Sequence, residues 1–144
     1  NASSVADGKN NHLIIDIGTC VTFDLVDRFN VYQGGLIYPG IDMRFKAMNY
    51  YTDKLPYLDW RSSWDDAKDY QGKSTHSSML NGVKQGMIME LKGLVHQYEQ
   101  EYDDLKVHLT GGDAVFFEKE LKNGIFAQPY LGCQGLNKIL ALNI

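Results

Sequence analysis

Residues 12–38 hold three strand-like runs separated only by turns, and this limits the fold more than any other feature of the chain. His12–Ile17 is an almost continuous apolar run ending in Asp16-Ile17-Gly18-Thr19, the pattern of a buried strand delivering into a tight turn. Cys20–Asp27 alternates, with Val21, Phe23 and Leu25 on one face and Thr22 and Asp24 on the other. Arg28-Phe29-Asn30 has hairpin length. Val31–Tyr38 is a third run, interrupted by Gly34-Gly35 and closed by Pro39-Gly40. Paired glycines inside a strand predict a bulge or a close approach to the backbone. Strands joined this tightly lie antiparallel in one sheet.

Beyond Gly40 the period changes. Ile41–Tyr51 predicts a helix with Ile41, Phe45 and Met48 on one face, closed by Pro56. Residues 56–73 have no period and are expected to form a long surface loop carrying Trp60 and Trp64, a length usually functional or mobile. Ser74 or Thr75 is a good N-cap for a helix running to about Asp103, with Met79, Val83, Met87, Leu91, Leu94, Val95 and Tyr98 as its stripe. Gly82, Gly86 and Gly93 each cost that helix about 1 kcal/mol against alanine, and they predict close packing on another backbone. Leu105–Leu109 reads as a strand ending in Thr110-Gly111-Gly112-Asp113. Ala114–Asn123 reads as a helix with Val115, Phe116 and Leu121 apolar, Ile125–Gln128 as a short strand and Leu131–Leu142 as a last helix. The order β-β-β-α-α-β-α-β-α predicts an α/β domain with a mixed sheet and helices on both faces. This layout is RNase H-like. It is also the repeating half of the actin-like ATPase architecture, in which two such halves face each other across a nucleotide cleft. Fold analogy alone does not give a function.

The 144 residues suit one domain, 1–144, with a single core. Fourteen Lys+Arg against eighteen Asp+Glu leave a net charge of −4, and neither half is basic, so no nucleic-acid or anionic-membrane partner is expected. No apolar run approaches the roughly 18 residues of a membrane span. The polar start, Asn1–Asn11, lacks a signal-peptide core. A cytoplasmic protein is expected, with Cys20 and Cys133 as buried free thiols. The histidines His12, His76, His96 and His108 lack zinc-ligand spacing. Met43, Met79, Met87 and Met89 are expected to fill core and interface space.

Four segments could carry chemistry. In Asp16-Ile17-Gly18-Thr19 a strand delivers a carboxylate that can hold a cation, a glycine lets backbone N–H groups face an anion, and a hydroxyl can donate to phosphate. Taken alone, the same residues make an ordinary hairpin turn. Thr110-Gly111-Gly112 ends a strand and opens a predicted helix, where paired glycines let a ligand lie flat on the backbone. Gly34-Gly35 with Pro39-Gly40 is either a bulged strand and turn or one wall of a substrate pocket. Gly72-Lys73-Ser74-Thr75 has the tail of a Walker A loop, but Ala67 stands where that pattern needs glycine, so a P-loop is rejected.

With these motifs in hand, the sequence resembles the type III pantothenate kinases, and its MRFKAM and KLP forms resemble the Bacteroidetes-type branch. The matching stretches are IDIGTCVTFDLVD (15–27), GGLIYPGIDMRFKAM (34–48), KLP (54–56), STHSSMLNGVKQGMIMEL (74–91), LTGGDA (109–114) and GCQGLNKIL (132–140). The resemblance implies ATP-dependent phosphorylation of pantothenate to 4′-phosphopantothenate, the first step of coenzyme A synthesis, with Mg2+ as the divalent cofactor. It implies Asp16 as ligand of a monovalent cation, K+ or ammonium, with Gly18 and Thr19 at the ATP phosphates. It implies Gly111 and Gly112 on the adenosine side and Thr75 at pantothenate. Gly34, Gly35, Pro39 and Gly40 match a motif near the substrate site and the interface of a homodimer.

The family's phosphate loop, DxGNT, and its G-x-DR motif, whose Asp is the general base, do not occur in these 144 residues, and the chain begins with Asn1. The chain is therefore expected to be the C-terminal domain, without a catalytic base of its own and weak or inactive alone, with the N-terminal domain as its partner. Two other readings stay open: a metal-dependent nuclease using Asp16, Asp24 and Asp113, and a non-catalytic regulator.

Overall fold

Strand β1 (Asn11–Ile17) is the centre of the molecule in the computed structural model, which describes residues 5–121, 125–127 and 131. Its run of apolar residues is buried on both faces, with Leu13, Ile14, Ile15 and Ile17 fully covered. β2 (Cys20–Val26) pairs antiparallel on one side and β3 (Tyr32–Pro39) continues the meander. On the other side β4 (Leu105–Thr110) lies parallel to β1, and β5 (Ile125–Ala127) lies parallel to β4. The five strands stand in the order β3-β2-β1-β4-β5. Three antiparallel strands followed by parallel crossovers form the RNase H-like sheet that the strand and turn pattern predicts.

The main core lies on one face of this sheet. Leu13, Ile15 and Ile17 of β1, Val21, Phe23 and Leu25 of β2, and Val107 and Leu109 of β4 point into it. Two helices cover it: α1 (Ile41–Tyr50), through Ile41 and Phe45, and α2 (Thr75–Glu101), through Met79, Met87, Leu91 and others. Ser74 caps α2: its side chain accepts from the Ser77 N–H, and the Ser77 side chain accepts from the Ser74 N–H. The opposite face carries Ile14 and Val26 packed with Leu131, Val5 and Ala6.

Several expectations are corrected. Residues 56–73 are not a surface loop: Leu58, Trp60, Trp64 and Ala67 are buried in the main core, and Arg61–Asp66 form a 3-10 helix. Trp64 packs edge-on against Phe117, and Trp60 against Phe116. Two large indoles anchor the segment without any repeating stripe, so no period marks it. A helix is predicted over Ala114–Asn123; over its described residues, 114–121, the structure has instead a 3-10 turn, Ala114–Phe116, followed by turns. Val115 is exposed and Phe117 carries the burial. Among the described residues Gly82, Gly86 and Gly93 meet no neighbouring backbone, for a Cβ at each would touch nothing there within 4 Å. Met89 is exposed, while Met79 and Met87 are core. Cys20 is partly exposed and not buried. Cys133 and the predicted helix beyond Leu131 lie outside the described residues.

Candidate functional site

The end of β1 carries the first turn. Asp16 pairs across the sheet with Thr22 of β2 and with Thr110 of β4, so it sits where the two strand-ending turns meet. Beyond it the Gly18 N–H donates to the Cys20 carbonyl at 2.9 Å and closes the hairpin. Thr19 stands exposed at its tip.

The second turn is wedged against the first. Gly111 has φ +100°, and a Cβ there would lie 2.3 Å from the Ile17 carbonyl oxygen and 2.6 Å from Oδ1 of Asp16. Only glycine lets this backbone approach the Asp16 carboxylate so closely. The Asp113 N–H donates to the Ile17 carbonyl at 2.9 Å and locks the turn onto β1. Gly18 and Gly112, by contrast, present open faces where a Cβ would meet nothing among the described residues within 4 Å.

A third piece comes from the end of β3. The Gly40 N–H donates to the Thr19 carbonyl at 3.0 Å, and a Cβ on Gly40 would fall 2.0 Å from the Gly18 carbonyl oxygen. Cys20 pairs with Pro39. Asp16, Gly18, Thr19, Pro39, Gly40, Gly111 and Gly112 therefore form one saddle at a single end of the sheet.

Other singled-out residues lie apart. Gly34 and Gly35 pair with Leu25 and Asp24, beside the register shift at Leu25/Val26, and Gly35 lies against the Phe23 carbonyl. The register shift and the contact with the Phe23 carbonyl are those of a bulged strand. Thr75 is exposed in the first turn of α2, and no hydrogen bond or ion pair among the described residues ties it to the saddle. Asp24 shares a sheet face with Asp16 but sits two rungs away opposite Ile14, and it accepts from the Tyr32 hydroxyl at 3.0 Å. Among the described residues no three His, Cys, Asp or Glu side chains gather as a metal site, so the carboxylate cluster required by a two-metal nuclease is not formed there.

Sequence reasoning missed a polar network beside the saddle. Arg61 Nη2 donates to Asp113 Oδ1 at 3.0 Å, and its guanidinium stacks on the Trp60 ring, 4.3 Å from the centroid. Trp60 Nε1–H and the Tyr57 hydroxyl both point to Asp42 Oδ1, at 3.4 and 3.3 Å. Lys46 pairs with Asp42 at 2.6 Å and, with Tyr57 and Trp60, holds that carboxyl below the usual carboxylate range. The adjacent pair Trp60-Arg61 was the signal available in the sequence. An open apolar groove of about 690 Å³ lies elsewhere, between α1 and α2, lined by Met43, Met48, Met79 and Val83 among others.

The saddle offers one carboxylate among backbone carbonyl oxygens, with open glycine faces beside it. Hard oxygen donors of low total charge fit an alkali-type cation better than zinc or copper. Open backbone with an exposed hydroxyl fits a phosphate-bearing ligand.

Residues 1–97 match the family model described as Type III pantothenate kinase. A type III pantothenate kinase from Phocaeicola vulgatus is 45% identical over 131 residues, covering 91% of this chain and 52% of that protein. Another from Cytophaga hutchinsonii is 40% identical over 143 residues, covering 99% of this chain and 59% of that protein. The chain thus spans about half the length of the curated relatives it matches. Among solved structures, a conserved Baf family protein from Campylobacter jejuni, provisionally described as a transcriptional activator, aligns with a TM-score of 0.58 at 20% identity. That alignment covers 99% of this chain and 62% of the other, and it is a likeness of fold.

Proposed function

Because the chain belongs to the type III pantothenate kinase family, we propose that it is the C-terminal domain of an enzyme that transfers the terminal phosphoryl group of ATP to the primary hydroxyl of pantothenate. The product is 4′-phosphopantothenate. The observation that carries the proposal is the seating of Gly111 against the Asp16 carboxylate, which joins the two strand-ending turns into one saddle.

In this reading Thr19 and the Gly18 backbone meet the ATP phosphates, Gly111 and Gly112 support the adenosine side, and Thr75 contacts pantothenate. Gly34, Gly35, Pro39 and Gly40 shape the pantothenate side. Asp16 with the neighbouring carbonyl oxygens would hold K+ or ammonium, which supplies positive charge near the phosphates. Mg2+ travels with ATP. Phosphoryl transfer depends mostly on positioning and charge neutralisation, so a saddle of backbone, one hydroxyl and one carboxylate is a reasonable contribution from one half of the machine. The general base belongs to an N-terminal domain that closes over the saddle.

A homodimer is part of the proposal. It is supported by the apolar groove between α1 and α2 and by the exposed Ile37, Tyr50 and Tyr51. We take the enzyme to be cytoplasmic; no described helix is long and apolar enough to cross a membrane. The net charge of −4 disfavours the regulator reading, since duplex binding relies on basic surface.

The test is ATP-dependent phosphorylation of pantothenate, followed through ADP release. This chain alone should turn over weakly or not at all, and addition of the N-terminal half of a relative should restore activity. Full turnover by the chain alone overturns the division of labour, and no turnover in either case overturns the kinase reading.

A further inference from the structure

We infer that Arg61 is a positioning residue for the nucleotide side of the saddle: through Asp113 it holds Gly111–Gly112 against Asp16. This rests on the nucleotide reading above.

The argument begins with Asp113. Its side chain is only 10% exposed, and a carboxylate that deep needs a partner. Arg61 supplies it at 3.0 Å, while the backbone N–H of the same residue is taken by the Ile17 carbonyl at 2.9 Å. Residue 113 is thereby tied to β1 by its main chain and to the 3-10 helix by its side chain. On the other side of the glycine pair, Thr110 is fixed in the ladder opposite Asp16. Gly111 and Gly112 are the whole bridge between these two anchors, and glycine has more backbone freedom to lose than any other residue. A ligand lying on them meets a preset surface only while both anchors hold.

Arg61 is itself braced. Its guanidinium stacks on Trp60, which is 1% exposed, and Trp60 reaches Asp42 in the first turn of α1. Asp42 follows Gly40 by two residues, and Gly40 is bonded to Thr19. The path Thr19, Gly40, Asp42, Trp60, Arg61, Asp113, Gly111 leads from one turn back to the other at Asp16, so residues 57–61 act as a strut between the two turns. Arginine suits this place because its planar head stacks flat on Trp60 while its fixed fork of N–H groups donates to Asp113, a geometry a lysine ammonium reproduces only in part.

The test reads ATP affinity by calorimetry on this chain, and the KM values for ATP and pantothenate on the same chain supplemented with the N-terminal half of a relative. Arg61→Ala is expected to weaken ATP by about tenfold, with pantothenate KM within about twofold. Arg61→Lys should recover part of the loss. Arg61→Ala/Asp113→Asn should bind ATP better than Arg61→Ala alone, since a neutral amide needs no counter-charge. Unchanged ATP affinity in Arg61→Ala overturns the inference, as does equal weakening of both substrates with a lower melting temperature. If the wild-type chain binds ATP but does not phosphorylate pantothenate even with that half added, the kinase reading fails and the ATP affinities still decide the role of Arg61. If the wild type binds no ATP, both fall.

Discussion

His12 Nδ1 lies 2.9 Å from His108 Nε2 between the parallel strands β1 and β4, and both rings are buried on the sheet face away from the main core. His12 Nε2 faces Asp7 Oδ1 at 3.2 Å. Burial, then the neighbouring His12 and the Lys106 charge, push His108 down to about 4 from its ordinary 6.5. Asp7, held well below the usual carboxylate range chiefly by the backbone N–H groups of Asn10 and Lys9, stays ionised throughout that interval. The folded domain therefore keeps His108 neutral where the unfolded chain takes up a proton. Between pH 6.5 and 4 the unfolded state binds more protons, so stability falls on acidification, by an amount on the order of 1–2 kcal/mol after solvent screening. Urea denaturation at pH 7, 5.5 and 4.5 should show this loss, and His108→Gln should reduce its slope. An unchanged slope would place the proton uptake elsewhere.

Two kinds of glycine predict opposite signs. At Gly111 an alanine would be driven into the Ile17 carbonyl at positive φ, so Gly111→Ala should destabilise by more than about 1 kcal/mol and weaken nucleotide binding. At Gly93, exposed in the middle of α2 with open space around it, alanine should stabilise by about 0.5–1 kcal/mol. Thermal melting of the two variants checks the pair. A neutral Gly111→Ala would mean the turn is free to move off Asp16.

The contrast between those glycines also explains what could be read from the sequence. The meander was legible because β1 and β2 carry their burial in the residue pattern itself, continuous in the first and alternating in the second. The Asp16 and Gly111 turns were legible because each follows a strand directly. Residues 56–73 were opaque: Trp60 and Trp64 are buried through contacts with Phe116 and Phe117, more than 50 positions away, and local periodicity carries no trace of such a partner. The same holds for Arg61 and Asp113, whose pairing exists only once the chain has folded. The α2 glycines misled for the reverse reason. A helix interior normally rejects glycine, so repetition suggested a contact, but open space leaves the same residues tolerated at a modest cost.

Adjacent residues at the start of α2 should separate folding from binding. Ser74 shares a reciprocal cap with Ser77, so Ser74→Ala should cost about 1 kcal/mol of stability. Thr75 is exposed at the first helical position and does not cap the helix. Thr75→Ala should leave the melting temperature nearly unchanged and, with the N-terminal half of a relative added, raise pantothenate KM, with ATP KM unaffected. Equal stability losses in the two variants would give Thr75 a structural role and remove it from the pantothenate side.

Asp16→Asn tests the saddle most directly. Asparagine keeps the shape that Gly111 packs against, so the fold should hold, with a change within about 1 kcal/mol. The charge that would attract a monovalent cation is gone, and an amide oxygen is a weaker donor than a carboxylate. ATP binding by the wild-type protein should therefore strengthen as K+ replaces a large organic cation at constant ionic strength, and the response should vanish in Asp16→Asn. Constant ionic strength separates occupancy of a site from general screening. A variant that keeps the K+ response would remove Asp16 from the cation's coordination and leave the carboxylate as a partner of the Gly111 turn alone.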